Sequence, residues 1–216
     1  MRNHFIARRC LVALCAAIFA APLAAQQSDS LPFRAGQWGA EFSAANFSGV
    51  GVLRFSNPRR AWLMDLQGSV TRQSGSSERM TNADVSTDSE TAQFRLGRRA
   101  YKPLVSRVVR YVGGGLSARY ASFDQYPTPF SVSPPLVYTP TRSQFEAGLF
   151  AEVGAQWMIT PNLGLGAAWS ADVHVGRAET SSLTLYSGLP PSNTKSTVNT
   201  ISASLGALAI RGSIFF

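Results

Sequence analysis

The chain has 216 residues, of which 20 are Lys or Arg and 12 are Asp or Glu, so its formal net charge is +8. A basic chain can bind nucleic acid, but the arginines here are scattered and the N-terminus has the features of an export signal. We therefore predict no nucleic-acid partner. The length that remains after removal of an export signal fits a single domain.

The first 25 residues have the layout of a secretory signal peptide. Arg2, Arg8 and Arg9 form a basic region, and residues 10–21 form an apolar run that is too short to span a bilayer as a helix. Small residues follow as far as Ala25. We predict export through a cleaved signal peptide, and an uncleaved anchor helix is the alternative.

Cleavage after Ala25, with Ala24 as the second choice, would leave a mature domain of residues 26–216. Both cysteines, Cys10 and Cys15, would leave with the signal peptide, so the mature domain would have no thiol or disulfide. The loss of three arginines would lower the net charge to about +5.

Alternation of apolar and polar residues dominates the chain after residue 35, and a period of two over such lengths indicates β-strands. The clearest segments are 144–158 and 163–176, where large apolar side chains alternate with Gly, Ser, Gln and acidic residues. The predicted strands span residues 37–45, 50–56, 61–72, 91–101, 107–121, 144–158, 163–176 and 197–216.

The composition of the two faces favours a barrel that is apolar outside. The polar face holds mainly Gly, Ala, Ser and Gln, and small side chains suit the narrow interior of an eight-stranded barrel. Trp38, Trp62, Tyr120 and Trp157 lie near predicted strand ends, as the aromatic girdles of a membrane barrel require. Arg98 is predicted to face outward near one membrane surface, as is Arg110 on the next strand. A soluble barrel with an apolar interior is the alternative.

The connections between these strands alternate in length. Short segments that contain proline (57–60, 102–104 and 160–162) alternate with long polar ones (73–90, 122–142 and 178–196). This pattern is typical of outer-membrane barrels, which have short periplasmic turns and longer external loops. The connection at 46–49 is the exception, because it is short where a long loop is allowed.

The C-terminal strand carries the most specific signal. Leu208, Ile210, Ile214 and Phe216 fall on one face, and Phe216 is the last residue. With the segment 111–116 (YVGGGL) and the loop pattern, this ending resembles the small eight-stranded outer-membrane β-barrels of the OmpA/OmpX type. The resemblance implies an all-β, antiparallel up-and-down transmembrane barrel, integral to the outer membrane and surrounded by its lipid. It also implies that the barrel assembly machinery binds the last strand through Ile214 and Phe216.

The apolar face of the last strand changes phase. Ile201, Ala203 and Leu205 are out of phase with Leu208 and Ile210. A β-bulge would explain this change, but the sequence alone does not place it.

The inward face is predicted to carry charges of both signs. Because an unpaired buried charge is costly, similar numbers of acids and bases favour a paired network that plugs the lumen. A small passive pore is the alternative reading. The predicted luminal residues are Glu41, Asp65, Glu146, Glu152 and Asp172 among the acids and Arg95, Arg99, Arg107, Arg119 and Arg211 among the bases.

Asp172 and His174 are the only pair that suggests catalysis. Two residues apart on a strand, they share the inward face, and a carboxylate beside an imidazole can raise its basicity. Outer-membrane omptin proteases carry such an Asp-x-His pair. They also need a second pair, of two aspartates, and this sequence has no Asp-x-Asp motif. We predict a protein that is not an enzyme, and a hydrolase that uses Asp172 and His174 is the third hypothesis.

The long connections are the remaining candidates for function. The segment 73–90 is polar and charged, and the segment 122–142 combines prolines with aromatic residues, which suits adhesion to an extracellular ligand. No metal-ligand cluster or cofactor motif is recognisable, so we predict neither. The predicted function is a structural or surface-interaction role, similar to that of an adhesin.

Overall fold

A computed structural model of the chain describes residues 31–44, 48–77, 83–127, 137–185 and 192–216. The predicted fold is confirmed, because eight antiparallel strands in the described residues form a closed barrel in chain order. The predicted signal peptide, residues 1–25, lies outside the described residues. The strands are β1 (Trp38–Ala44), β2 (Ser48–Asn57), β3 (Arg60–Ser77), β4 (Ala83–Val105), β5 (Val108–Pro127), β6 (Val137–Thr160), β7 (Leu163–Leu185) and β8 (Ser192–Phe215).

The first and last strands close the ring. They pair from Gly39 opposite Phe215 to Ala44 opposite Ile210. The backbones of Trp38 and Phe216 add two hydrogen bonds, of 3.1 and 3.0 Å. The three short turns between consecutive strands lie at this same end of the barrel, which we call the turn end, and the opposite end is the loop end.

Most strands are far longer than a bilayer requires. A membrane barrel strand needs about 9–11 residues, whereas β4 and β7 have 23 residues each and β6 and β8 have 24. The prediction of long polar loops at 73–90, 122–142 and 178–196 was therefore wrong for most of their length. The ladder between β3 and β4 continues to Ser77 opposite Ala83, and residues 78–82, 128–136 and 186–191 lie outside the described residues.

The sequence pattern did not reveal these strand extensions because they need no apolar face. They are rich in Ser and Thr, and each continues a hydrogen-bond ladder that is already fixed by the strands below it. Polar residues on both faces hide the alternation from which the strands were predicted.

The turn predicted at residues 102–104 is also displaced. β4 continues through Pro103 to Val105, and the chain reverses at Ser106 and Arg107. Arg107 has a positive φ of 65° and is exposed, so the prediction that it lies in the lumen was wrong. Its carbonyl accepts a 2.7 Å hydrogen bond from the backbone N–H of Met158.

The phase change of the last strand has a definite position. Leu208 is opposite Trp169 and Leu205 is opposite Ala171, so residues 206 and 207 of β8 face the single residue Ser170. Gly206 allows this bulge, since a Cβ there would collide with the Ser170 carbonyl oxygen.

The two faces of the wall differ in polarity. The alternate positions Asp65 and Gln67 of β3 are buried in the lumen. The outward positions of the same strand hold Trp62, Met64, Leu66, Gly68 and Val70.

No helix long and apolar enough to span a membrane occurs in the described residues.

Candidate functional site: the barrel lumen

An aromatic cluster closes the lumen at the turn end. The ring of Phe33, which precedes β1, stacks on Phe55 at 4.4 Å and contacts Tyr101 and Phe215 at 5.0 Å each. Tyr111 lies 5.4 Å from Tyr101 and completes the cluster. All five side chains are at most 2% exposed, so these rings exclude water from this end of the barrel.

A turn brings Phe33 into this position. Gly36 has a φ of 82°, a conformation that favours glycine, and its N–H donates a 2.8 Å hydrogen bond to the carbonyl of Phe55. The chain then enters β1 at Trp38, so the residues before the first strand fold under the barrel.

An ionic cluster of two arginines and two glutamates lies next along the lumen. Arg99 pairs with Glu152 through Nε and with Glu41 at 2.7 Å. Arg211 pairs with Glu152 at 2.9 Å and with Glu41 at 3.3 Å. The cluster is neutral as a whole, and its four side chains are at most 5% exposed. Each charge has two partners of opposite sign, which offsets the cost of removing it from water.

A glycine on the neighbouring strand gives this cluster its space. A Cβ at Gly113 would lie 2.8 Å from Glu152 Oε1 and 3.0 Å from Arg99 Cγ. Any larger residue at this position would push against both members of the pair, so the wall and the cluster depend on each other.

A second charged layer follows toward the loop end. Arg95 Nη2 donates to Asp172 Oδ2 at 2.7 Å, and Gln93 donates to the other carboxylate oxygen at 3.1 Å. Asp65 accepts a 2.5 Å hydrogen bond from Gln67. Both oxygens of Asp172 are therefore engaged, and neither partner is His174.

A third layer contains His174, the only histidine among the described residues. His174 Nε2 lies 2.8 Å from Ser117 Oγ, and both residues are buried. Glu146 pairs with Arg119 at 2.6 Å and accepts hydrogen bonds from Gln144 at 2.6 Å and Ser202 at 3.0 Å.

The sequence-predicted residues fall into these layers as follows. Glu41, Arg99, Glu152 and Arg211 share the ionic cluster, and Arg119 is placed with Glu146. Asp65 and Arg95 occupy the layer between them, and Arg107 is in a turn. Ile214 and Phe216 face outward at the turn end, where they are 47% and 71% exposed.

Sequence reasoning missed the aromatic cluster and Ser117. The strand periodicity could have assigned two of these rings to the lumen. Tyr101 lies two residues after Arg99, and Phe215 lies two residues after Ser213, so each ring shares the inward face with its neighbour. No comparable signal exists for Phe33, which precedes the first strand, or for Ser117, whose partner is 57 residues away.

Chemically, Ser117 and His174 form a hydroxyl–imidazole pair of the kind that can activate a nucleophile. A third group that would orient the imidazole is not supplied by Asp172, whose oxygens bind Arg95 and Gln93. Within the described residues, no group of three or more His, Cys, Asp or Glu side chains could hold a metal ion.

Comparison with known proteins supports the fold class. No protein-family model matches the chain, and no curated protein matches its sequence. Among solved structures, a major outer membrane protein from Thermus thermophilus matches with a TM-score of 0.60 and 13% identity, over 83% of this chain and 98% of that one.

The outer membrane protein OprG from Pseudomonas aeruginosa matches with a TM-score of 0.52 and 12% identity, over 87% of this chain and 99% of that one. At such identities the matches establish the fold. The chain therefore has the fold of the small outer-membrane β-barrel proteins.

Proposed function

We propose that the protein is an integral outer-membrane β-barrel whose lumen is closed by its own side chains and whose role is structural or one of surface interaction. The observation that carries this proposal is the inverted polarity of the wall. Leu66, Leu116, Leu149 and Ile210 are 59–62% exposed on the outside, whereas ion pairs fill the inside. Only a lipid surround makes such an outer surface favourable.

The limits of the apolar belt are marked by aromatic and charged residues. At the turn end, the Arg98 guanidinium lies 3.8 Å above the Trp62 ring and that of Arg54 lies 5.3 Å from Trp38. Arg110, opposite Lys102 and nearer the turn between β4 and β5, is also exposed. Amphipathic rings and long basic side chains suit the headgroup region of a bilayer.

At the other limit, outward ion pairs replace the apolar residues. Arg72 pairs with Asp88 at 2.8 Å, and Arg177 lies 3.7 Å from Glu179. From Trp62 up to Arg72, the outward positions of β3 span about 34 Å along the strand and about 26 Å along the barrel axis at a tilt of ~40°. This height agrees with the ~25 Å band of outer-membrane barrels.

Membrane integration has a direct test. The protein in isolated outer membranes should resist extraction by alkaline carbonate and by urea, and it should migrate faster on a gel when unheated than when boiled. Release into the supernatant by carbonate would contradict an integral barrel.

Closure of the lumen is supported by two successive layers, the aromatic cluster and the ionic cluster. We expect the refolded barrel to give no conductance steps in a planar bilayer, because both layers would have to open for ions to pass. Reproducible steps that change in Arg95→Gln or Glu152→Gln would overturn the plugged lumen and favour the passive pore.

A surface role is favoured by the tall extensions of β3–β8 beyond the apolar belt. These extensions include residues 73–77, 83–90, 122–127 and 137–142, which the sequence predicted as loops, and they continue the strand ladders beyond the apolar belt. Binding of intact cells to extracellular-matrix or epithelial surfaces, compared with cells in which residues 128–136 are replaced by a Gly-Ser linker, tests this role. Equal binding by both strains would argue against it.

Export and assembly are part of the proposal. The mature protein should begin at Gln26 if the signal peptide is cleaved after Ala25, which N-terminal sequencing checks. Deletion of Phe216 should reduce the folded fraction in the outer membrane if the assembly machinery binds the last strand. An N-terminus at Met1 would refute cleavage of the signal peptide. Full assembly without Phe216 would refute recognition of the last strand through this residue.

A hydrolase is a second candidate, which the 2.8 Å contact between Ser117 and His174 favours. A nucleophilic serine should react with a fluorophosphonate, and intact mass spectrometry would detect the added group. Labelling that is lost in Ser117→Ala and in His174→Ala, with the barrel still folded, would support an enzyme. An unlabelled wild-type barrel would remove this candidate.

A further inference from the structure

The outer surface of the turn end carries charges of one sign in the described residues. Its basic side chains are all exposed, and none has a carboxylate within ion-pair distance in the part of the chain that the structure describes. These side chains are Arg34, Arg54, Arg59, Arg60, Arg98, Lys102, Arg107 and Arg110. The ranges 31–40, 48–64, 94–114, 153–167 and 208–216, which form this end outside the lumen, contain no acidic residue.

The cations of the barrel wall are concentrated on one side. Arg54, Arg60, Arg98, Lys102 and Arg110 occupy outward positions of the adjacent strands β2–β5. The strand ladders place Arg54 and Arg98 opposite Trp62 from its two sides. On β6–β8, the outward positions at this end hold Trp157, Leu163, Leu165 and Ile214 instead. A uniform ring of basic residues at the membrane surface does not describe this arrangement.

An open groove of about 400 Å³ lies on the outer wall beside these cations. We call it the wall groove. Arg60 and Arg98 line its rim, and Ala100, Val112 and Gly114 form its floor. The Arg98 guanidinium lies over the Trp62 ring at 3.8 Å, on the β3 side, whereas Gly114, opposite Arg98 on β5, has no side chain. The wall groove is therefore apolar at its floor and cationic at its rim.

We propose that the wall groove binds an anionic phospholipid of the periplasmic leaflet, such as phosphatidylglycerol, with its phosphate on Arg60 and Arg98 and an acyl chain over Gly114. The inference rests on the proposed integration into the outer membrane, with the short turns on the periplasmic side. Guanidinium groups match phosphate oxygens, and each basic residue near an anionic lipid surface adds to the attraction. An anionic cell-wall polymer would need the cations but not the apolar floor, so the wall groove favours a lipid.

Quenching of tryptophan fluorescence by brominated lipids tests the proposal at two places on the barrel. Trp62 borders the wall groove through Arg98. Trp169, opposite Val153 and Leu208, lies on β7 among apolar residues. Two proteins, each with one of these tryptophans and with Phe in place of the others, are refolded into phosphatidylcholine bilayers. We expect dibrominated phosphatidylglycerol to bind about tenfold more strongly than dibrominated phosphatidylcholine near Trp62, and equally near Trp169.

The outcomes separate this inference from membrane integration itself. Quenching of both tryptophans by dibrominated phosphatidylcholine shows that the barrel is in the bilayer. Quenching without a preference for phosphatidylglycerol near Trp62 would then refute the lipid site alone. No quenching by either lipid would refute the integral barrel and the lipid site together.

Charge variants locate the bound phosphate. In the protein that keeps Trp62, Arg60→Gln with Arg98→Gln should reduce the preference for phosphatidylglycerol about tenfold, to near one. Arg142→Gln with Lys195→Gln removes the same charge from exposed positions at the loop end and is the matched control, which should keep the preference. An equal loss in both double variants would show a general attraction to a basic protein and refute the site.

A variant of the floor tests the groove without changing charge. Ala100→Leu fills the wall groove and should weaken the preference at least threefold, whereas Ala147→Leu, at an exposed position of β6, should not. An unchanged preference in Ala100→Leu would refute a bound acyl chain. Should any variant fail to fold, the wild-type residues around Trp62 and Trp169 still decide the question.

Sedimentation with purified cell-wall sacculi covers the other class of anionic partner. The detergent-solubilised barrel should remain in the supernatant. Binding to sacculi that is lost in Arg60→Gln with Arg98→Gln, together with no lipid preference near Trp62, would assign these cations to the cell-wall polymer and overturn the proposal.

Discussion

Arg99 provides the sharpest test of how the lumen is held together. Its side chain is inaccessible to solvent and pairs with Glu152 and Glu41, which are also buried. Arg99→Gln would leave two carboxylates facing one guanidinium, that of Arg211. Removing one partner of a buried ion pair costs about 3–5 kcal/mol, and we expect the free energy of unfolding to fall by about 4 kcal/mol.

Equilibrium unfolding of the barrel in lipid vesicles by urea measures this loss. With a slope of about 2 kcal/mol per molar urea, a loss of about 4 kcal/mol lowers the midpoint by about 2 M. Tryptophan fluorescence and gel mobility should give the same midpoint if the transition has two states.

A double variant separates charge imbalance from loss of packing. Arg99→Gln with Glu152→Gln removes one charge of each sign and leaves Glu41 paired with Arg211. We expect it to recover about half of the lost stability, about 2 kcal/mol. A loss below about 1 kcal/mol in Arg99→Gln, or a double variant as unstable as the single one, would refute the reasoning.

Three further predictions concern other parts of the barrel. Phe33→Ala should lower the free energy of unfolding by about 3 kcal/mol, because it removes the central ring of the aromatic cluster, and the barrel should stay non-conducting, since the ionic cluster lies behind it. Gly206→Ala should reduce the heat-modifiable fraction in membranes, whereas Gly212→Ala, where an added Cβ meets nothing within 4 Å, should not; equal yields would contradict the bulge. The hydrogen bond from Arg72 lowers the pKa of Asp88. This interaction therefore stabilises the folded barrel fully at a pH above the ordinary pKa of Asp, and the stabilisation is lost as the pH falls through the lowered pKa of Asp88. Carboxyl NMR should show that pKa rise in Arg72→Gln, and an unchanged value would exclude this cause.

The membrane part of the fold was predictable because lipid enforces a strict alternation. Leu149, Val153 and Trp157 face outward along β6, while Glu146 and Glu152 face inward, so the pattern can be read without a structure. The extensions beyond the membrane were read as loops. Both faces of these strands are polar, and a pattern that reflects burial on one side carries no information there.

The candidate site was predictable in part for a related reason. Inward charges stand out against an outward apolar face, so Arg99 and Glu152 could be assigned to the lumen. Their partners could not be assigned, because neighbouring charges such as Glu41 and Arg211 are 170 residues apart in sequence. The seal by Phe33 comes from a segment without periodicity, and only the packing of its ring reveals it.

The two ends of the barrel have different physical roles. β1 and β2 are short, and among the described residues β8 pairs with β1 only as far as Ile210, while β3 pairs with β2 only as far as Gly68. Beyond these points the wall consists of β3–β8, and the edge of β8 carries Leu208, Leu205 and Ile201, which are 66%, 84% and 83% exposed. Since the turn end is sealed by two layers, a ligand can reach the lumen or the extensions only from the loop end, and binding experiments should present it there.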